Sequence, residues 1–146
     1  MKARSIDIIK VNRDDFSQLR NQFENEVFRF FPNIKNPGFH HSLISLYEIV
    51  EQGVIKGILF TTKSENIEFG SLEMSIIVFS KYQRTGIGKV ALQNISTIEK
   101  DYYFRTRNDN NTALQFFNQQ FNNVELVPNF QIFRNCQKYN LKVINE

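Results

Sequence analysis

Residues 76–89 have the sequence IIVFSKYQRTGIGK, in which an apolar segment leads through a polar turn to two glycines and a lysine. The apolar half predicts a strand that starts at Glu68 or Leu72 and ends at Phe79. The other half predicts a helix, because apolar residues recur at helical spacing, at Ile87, Val90, Ala91, Ile95 and Ile98. The segment therefore predicts a strand, a glycine-containing turn and a helix in succession.

The turn between this strand and this helix favours an anion. The first N–H groups of a helix have no intrahelical partner, and the helix dipole places partial positive charge there. Gly86 and Gly88 let the backbone curl around an anion without Cβ clashes, while Arg84 and Lys89 add positive charge. Residues 83–89, here called the cradle, therefore predict a phosphate or pyrophosphate site.

Two familiar phosphate-binding patterns do not fit the cradle. A Walker A loop needs Ser or Thr after Gly-Lys, whereas Val90 follows Lys89, and the dinucleotide fingerprint needs three glycines. A purely structural interpretation stays open, in which two glycines shape a strand-to-helix turn and their basic neighbours are solvated.

The rest of the chain is a continuous series of short strands and amphipathic helices. Further strands are predicted at Ser5–Val11, Leu46–Glu51, Val54–Thr62, Asp101–Thr106, Val124–Phe133 and Asn135–Ile144. Helices are predicted from Asp14 or Asp15 to Pro32 and over Asn110–Gln120, with a loop at 32–42 and a tight turn at Gln52-Gly53. This order predicts an α/β or α+β fold with one mostly antiparallel sheet, in a single domain over residues 1–146.

Two segments resemble motifs of the GNAT superfamily of N-acetyltransferases. Residues 76–88 resemble its acetyl-CoA motif, Gln/Arg-x-x-Gly-x-Gly/Ala after an apolar strand, and Asn110–Phe117 resembles its Asn-x-x-Ala-x-x-Phe-Tyr helix. The predicted element order matches that of the family over nearly the whole chain. The resemblance implies about seven strands flanked by about four helices, with Leu72–Phe79 and Tyr102–Thr106 as two splayed central strands.

The resemblance also implies acetyl-CoA as the cosubstrate. In the family, the pantetheine arm pairs with the backbone of the first splayed strand, and the pyrophosphate lies on the amides of the following turn. An asparagine at the start of the later helix often contacts the cofactor, and a tyrosine at its far end lies near the thioester sulfur. The cofactor-binding residues implied here are Ile76, Ile77, Val78, Gln83, Arg84, Thr85, Gly86, Ile87, Gly88, Lys89, Asn110 and Phe117.

The residues expected to move protons depart from the family pattern. Phe117 stands where the family often has the tyrosine that serves as general acid, and Arg105 stands where some members carry a base. Glu73 lies on the first splayed strand, one residue from the position of a catalytic glutamate in other members, and is the candidate base. A solvated carboxylate at a sheet edge is the alternative role for Glu73. His40 and His41 lie in the loop that walls the acceptor site in the family, where they are either bases or surface residues.

Composition excludes several classes of protein. The 18 basic and 15 acidic residues give a net charge of +3, which suits an anionic ligand but is weak for a dedicated nucleic-acid binder. The longest apolar run, Ile76–Phe79, is far shorter than the roughly 20 residues that cross a membrane, and charged residues near the start leave no secretion signal. One cysteine and two histidines provide no cysteine-based zinc site, and no metal is expected. These features predict a soluble, cytoplasmic protein, monomeric or homodimeric.

Three functions stay open at this stage. The first is an N-acetyltransferase that transfers the acetyl group of acetyl-CoA to a primary amine of a small molecule or a peptide. The second is a non-catalytic domain that binds CoA for regulation, which the missing acid and base favour. The third is a small RNA-binding module, suggested by the basic charge and by the aromatic run Tyr102–Arg105, although no RNA-recognition motif is present.

Overall fold

A computed structural model describes residues 5–12, 43–64, 66–121 and 124–135. Within these residues the chain forms seven strands, two α-helices and one 3-10 turn. The strands are β1 (Ile6–Val11), β2 (Leu43–Glu51), β3 (Val54–Lys63), β4 (Leu72–Val78), β5 (Tyr102–Arg107), β6 (Val124–Val127) and β7 (Phe130–Asn135). The helices are α1 (Ile87–Ile95) and α2 (Asn111–Gln120), and the 3-10 turn is Ser80–Tyr82.

The strands form one mixed sheet in the order β1-β2-β3-β4-β5-β7-β6. The pair β4–β5 is parallel, through Leu72 and Tyr102 and through Glu73 and Tyr103. The pairs β1–β2, β2–β3, β5–β7 and β6–β7 are antiparallel. The predicted α+β class and the mostly antiparallel sheet of seven strands are therefore confirmed.

Two predicted elements lie outside the described residues. The helix from Asp14 or Asp15 to Pro32 and the following loop, with His40 and His41, are among them, so the prediction of about four helices stays a prediction. The last predicted strand, Asn135–Ile144, lies almost entirely outside them as well.

One predicted strand is wrong. The expected strand Val124–Phe133 is a hairpin of β6 and β7, because the chain turns at Pro128-Asn129. Proline lacks the N–H that a sheet interior requires, and Asn129 has a left-handed backbone with φ +70°. The seven strands thus divide the chain differently from the prediction near its end.

The ends of two other elements also differ from the prediction. Helix α1 stops at Ile95 rather than at Ile98, and in the turn that follows the amides of Ile98 and Glu99 both donate to the Ile95 carbonyl. Ile98 is consequently half exposed, at 50%. Strand β2 begins at Leu43 rather than at Leu46 and joins β3 through the predicted turn, where Gln52 and Gly53 have φ of 54° and 74°. Such left-handed pairs match the twist of a hairpin.

The chain divides into two compact units by its internal contacts, residues 1–63 with 75–94 and residues 64–74 with 95–146. The core of the first unit is a cluster of buried apolar residues from β2, from β3 and from the end of β4, namely Leu43, Leu46, Ile58, Phe60, Ile77 and Phe79. The core of the second unit is aromatic, with Phe104 of β5, Phe117 of α2, Phe121 and Phe133 of β7 in mutual ring contact. A single domain over the whole chain stays a prediction.

Candidate cofactor-binding site

The loop after β4 is anchored by two aromatic residues. Phe79 is buried in the first unit, and its amide donates to the carbonyl of Lys56 in β3 at 3.0 Å. The Tyr82 ring packs against the same core, and the ammonium nitrogens of Lys56 and Lys81 lie 5.0 and 5.7 Å from its centroid. Cations at such distances are attracted to the face of a tyrosine ring. The start of the cradle is therefore fixed to β3 and β4.

Hydrogen bonds to the preceding residues hold Gln83 and Thr85 at the start of the cradle. The Gln83 amide donates to the Ser80 carbonyl at 3.3 Å, and the Gln83 side-chain amide donates to the Val78 carbonyl at 2.9 Å. The Thr85 hydroxyl donates to the Tyr82 carbonyl. The side chain of Gln83 thus ties the loop back to the last residue of β4.

Left-handed backbone brings the loop into α1. Arg84 has φ +62° and Gly86 has φ +85°, whereas Gly88 lies within α1 and does not have a positive φ. Of the two glycines, Gly86 alone therefore uses the left-handed region. The Val90 amide donates to the Gly86 carbonyl at 3.3 Å. By helix geometry the amides of Ile87, Gly88 and Lys89 then have no partner within α1.

Charge around the start of α1 is positive. Lys81, Arg84 and Lys89 lie in the loop and in the first turn of the helix, and no acidic residue occurs between Ser80 and Ile98. Lys56 nearby is engaged by Glu51, with 2.8 Å between Nζ and Oε1. Helix amides and cations without intervening carboxylates favour an anion at this position.

The peptide groups at the end of β4 alternate in direction. The Phe79 amide bonds β3, so the Val78 peptide groups, one residue earlier, point away from β3. The Val78 carbonyl accepts its hydrogen bond from Gln83 there. Ile77 is buried, while Ile76 and Val78 are half-buried. The three residues predicted to pair with pantetheine therefore do not present equivalent backbone groups.

Asn110 is the N-cap of α2. Its side-chain oxygen accepts from the Ala113 amide at 3.2 Å, and its own amide donates to the Arg107 carbonyl at 3.1 Å. This is the usual way in which asparagine satisfies the start of a helix. Helix α2 accordingly begins at Asn111, one residue after the predicted start. Contact of Asn110 with a cofactor stays a prediction.

Phe117 is buried in the aromatic core of the second unit. Its ring is 6% exposed, and its centroid lies 4.6 Å from that of Phe104 and 5.2 Å from that of Phe133. The planes of the Phe104 and Phe133 rings are inclined to the plane of the Phe117 ring by 32° and 30°. These contacts give Phe117 a packing role, and its predicted contact with a cofactor stays a prediction.

Phe117→Leu is expected to lower the free energy of unfolding by roughly 1 kcal/mol, because the smaller side chain loses ring contacts with β5 and β7. The adjacent Phe116, which is half-buried, provides the matched control. Chemical denaturation of both variants measures the difference. Equal losses for Phe116→Leu and Phe117→Leu would contradict the central position of Phe117.

Glu73 forms an ion pair with Arg105 in the second unit. The Arg105 Nε and Glu73 Oε1 atoms are 2.9 Å apart, and the side chains of Glu73 and Arg105 are 17% and 40% exposed. The Arg105 guanidinium also lies 5.0 Å from the centroid of the Phe130 ring. Uptake of a proton by Glu73 would therefore weaken its attraction to the Arg105 guanidinium.

Sequence reasoning missed two of these contacts. The parallel pairing of β4 and β5 brings Glu73 and Arg105 together, and no local feature of the sequence predicts which strands pair in parallel. The bond from Gln83 to Val78 was open to prediction, since a side-chain amide five residues after a strand end can reach back to it.

The described residues contain no group of three His, Cys, Asp or Glu side chains placed to hold a metal ion. His40, His41 and Cys136 lie outside them. Among the helices that the structure describes, none has the length and apolar character needed to cross a membrane.

Comparison by sequence finds no relative: no family model matches the chain, and no curated protein matches it. Comparison by structure finds many N-acetyltransferases. PaiA N-acetyltransferase from Thermoplasma acidophilum, in complex with coenzyme A, has a TM-score of 0.61 and 13% identity, over 90% of this chain and 99% of its own. Naa50 from Arabidopsis thaliana, in complex with the bisubstrate analogue CoA-Ac-MVNAL, has a TM-score of 0.58 and 13% identity, over 89% of this chain and 97% of its own.

A variant of the spermidine N-acetyltransferase SpeG from Vibrio cholerae is similar as well. Its TM-score is 0.56 at 14% identity, over 93% of each chain. Similarity at this level of identity shows the fold. The chain has the GNAT fold, as the resemblance of its two motifs predicts.

Proposed function

We propose that this chain is an N-acetyltransferase that transfers the acetyl group of acetyl-CoA to a primary amine. The observation that carries the proposal is the cradle, where left-handed Gly86 leads into the amides of α1 beside Lys81, Arg84 and Lys89. In the GNAT fold, this loop is the one expected to hold the pyrophosphate of CoA. Acetyl-CoA supplies an acetyl group activated as a thioester.

The residues proposed to hold CoA fall into three groups. The amides of residues 83–89 and the two basic side chains among them are proposed to bind the pyrophosphate. Peptide groups at Ile76–Val78 are proposed to pair with the pantetheine arm. Asn110 and Phe117 are the remaining candidates.

The reaction needs a neutral amine, and Glu73 is the proposed base. Its carboxylate would take the proton of the amine directly or through a water molecule. The amine or the water molecule would then replace Arg105 as the partner of the carboxylate. The leaving group needs less help, because a free thiol has a pKa near 8.5 and its thiolate departs more readily than an amide nitrogen. Phenylalanine at position 117 is therefore compatible with turnover.

The acceptor is proposed to be a small molecule or a peptide amine. The spermidine N-acetyltransferase SpeG is named for a small amine, and Naa50 is bound to a CoA analogue linked to a peptide. The two structures resemble this chain to similar degrees, with TM-scores of 0.56 and 0.58. A cytoplasmic location and a monomeric or homodimeric state remain predictions.

A non-catalytic CoA-binding domain is the second candidate. Two observations favour it, namely the phenylalanine at position 117 and the engagement of Glu73 by Arg105. Such a domain would bind CoA through the same cradle but would release no thiol.

Two measurements on the intact protein test these candidates. We expect calorimetry to detect CoA binding, and we expect release of free thiol from acetyl-CoA to depend on an added amine from a panel of polyamines, amino acids and short peptides. Binding without amine-dependent release would assign the protein to the second candidate. Absence of both would contradict the cradle, and a salt-dependent shift of labelled RNA would then favour the RNA-binding alternative.

A further inference from the structure

At Gly57 the backbone of β3 lies close to the backbone of β4. The residue is buried in the middle of β3, where its neighbours carry large side chains. A Cβ at this position would overlap the Ile77 carbonyl oxygen and would lie 3.1 Å from the Val78 Cα and 3.2 Å from the Ile49 Cδ1. A glycine inside a strand often marks such a close approach of backbone to backbone. Any side chain at position 57 would therefore push the end of β4 away from β3.

The same approach fixes which peptide groups of β4 face outward. The Ile77 carbonyl lies against Gly57, and the Phe79 amide donates to Lys56, so both face β3. Because successive peptide groups of a strand point in opposite directions, those of Ile76 and Val78 face away from β3. The Val78 carbonyl is held there by the side chain of Gln83. The outward-facing peptide groups of Val78 thus lie between two contacts with β3, one at Ile77 and one at Phe79.

We propose that Gly57 is a positioning residue for CoA. Because Gly57 has no side chain, the backbone of β4 can approach it at Ile77 and Val78. This approach sets the direction of the Ile76 and Val78 peptide groups, which pair with the pantetheine arm. Ile77 serves the sheet instead, through its carbonyl on the β3 side and its side chain in the core. This inference rests on the proposed function, and it assigns the pantetheine contacts to two of the three residues predicted to make them.

Two ligands separate positioning from general damage to the fold. CoA contains the pantetheine arm, whereas 3′-phosphoadenosine diphosphate contains the pyrophosphate without that arm. Gly57→Ala is expected to weaken CoA binding about fivefold and to change the affinity for 3′-phosphoadenosine diphosphate less than twofold, because the cradle moves together with the end of β4 and keeps its own geometry through the hydrogen bonds of Gln83 and Thr85. Equal losses for both ligands, or no loss for CoA, would overturn the proposal.

Gly53→Ala is the matched control. Gly53 has φ +74° in the β2–β3 turn, where a Cβ would meet nothing within 4 Å, so alanine there adds backbone strain without moving β4. Its affinity for CoA should stay within twofold of the original protein. A similar loss of CoA affinity in Gly53→Ala would attribute the effect to lower stability and would overturn the proposal. Failure of the original protein to bind either ligand would instead contradict the proposed function.

Amide exchange in the unaltered protein covers the case in which Gly57→Ala does not fold. Nuclear magnetic resonance is expected to show that CoA slows exchange at the Ile76 and Val78 amides at least tenfold, with a smaller change at Ile77. The opposite pattern, with protection gained mainly at Ile77, would overturn the assignment.

Discussion

Gly86→Glu is expected to lower the affinity for CoA at least tenfold, which corresponds to about 1.4 kcal/mol. Gly86 immediately precedes α1 and has φ +85°. A glutamate there adds a side chain and a negative charge where the pyrophosphate is proposed to bind. A negative charge at the start of a helix interacts favourably with the helix dipole. The variant should therefore stay folded despite the strained backbone. Calorimetry measures the affinity, and a thermal melt checks the fold.

The control for this variant is Gly53→Glu. Gly53 also has a left-handed backbone, and a Cβ there meets nothing within 4 Å, so the substitution introduces the same charge and a similar strain in the β2–β3 turn. CoA affinity of Gly53→Glu should stay within about twofold of the original. A folded Gly86→Glu protein with unchanged affinity would remove the cradle from the proposed site.

Glu73→Gln is expected to lower kcat/KM by about 100-fold or more, if the carboxylate takes the proton of the amine. Glutamine keeps the size of the side chain but cannot accept that proton. The rise of activity with pH at the acidic end of the profile should also disappear, because it reports the ionisation of the base. Steady-state kinetics over a range of pH measure both effects.

Arg105→Gln separates the chemistry of Glu73 from its ion pair. This variant breaks the same 2.9 Å contact while it leaves the carboxylate in place. We expect kcat/KM of Arg105→Gln to fall less than tenfold and its acidic limb to persist. A change below threefold in Glu73→Gln, or equal losses in both variants, would leave Glu73 with a structural role alone.

Local signals in the sequence were sufficient for much of this fold. Alternating apolar residues marked β3 and β4, and Gln52-Gly53 marked the hairpin between β2 and β3. The cradle could be predicted because glycine, basic residues and a helix start are adjacent in the chain. Each of these features depends on residues that are neighbours in sequence.

The features that escaped prediction depend on pairing between distant segments. The proposed role of Gly57 depends on β3 lying beside β4, and the contact of Glu73 with Arg105 depends on the parallel pairing of β4 and β5. Apolar alternation alone does not specify which strands become neighbours. The turn at Pro128-Asn129 is a different case, since a proline and an asparagine marked it but the apolar residues on both sides suggested one strand.

The left-handed backbone of Arg84 lowers the stability of this loop, while its side chain contributes a cation to the proposed CoA site. An arginine with φ +62° costs on the order of 1 kcal/mol relative to glycine, which adopts this conformation freely. Glycine would relieve that cost but would remove one of the cations at the start of α1. Directed evolution for heat resistance alone would therefore enrich Arg84→Gly and weaken the proposed anion site, whereas selection for CoA binding would retain the arginine at the expense of melting temperature.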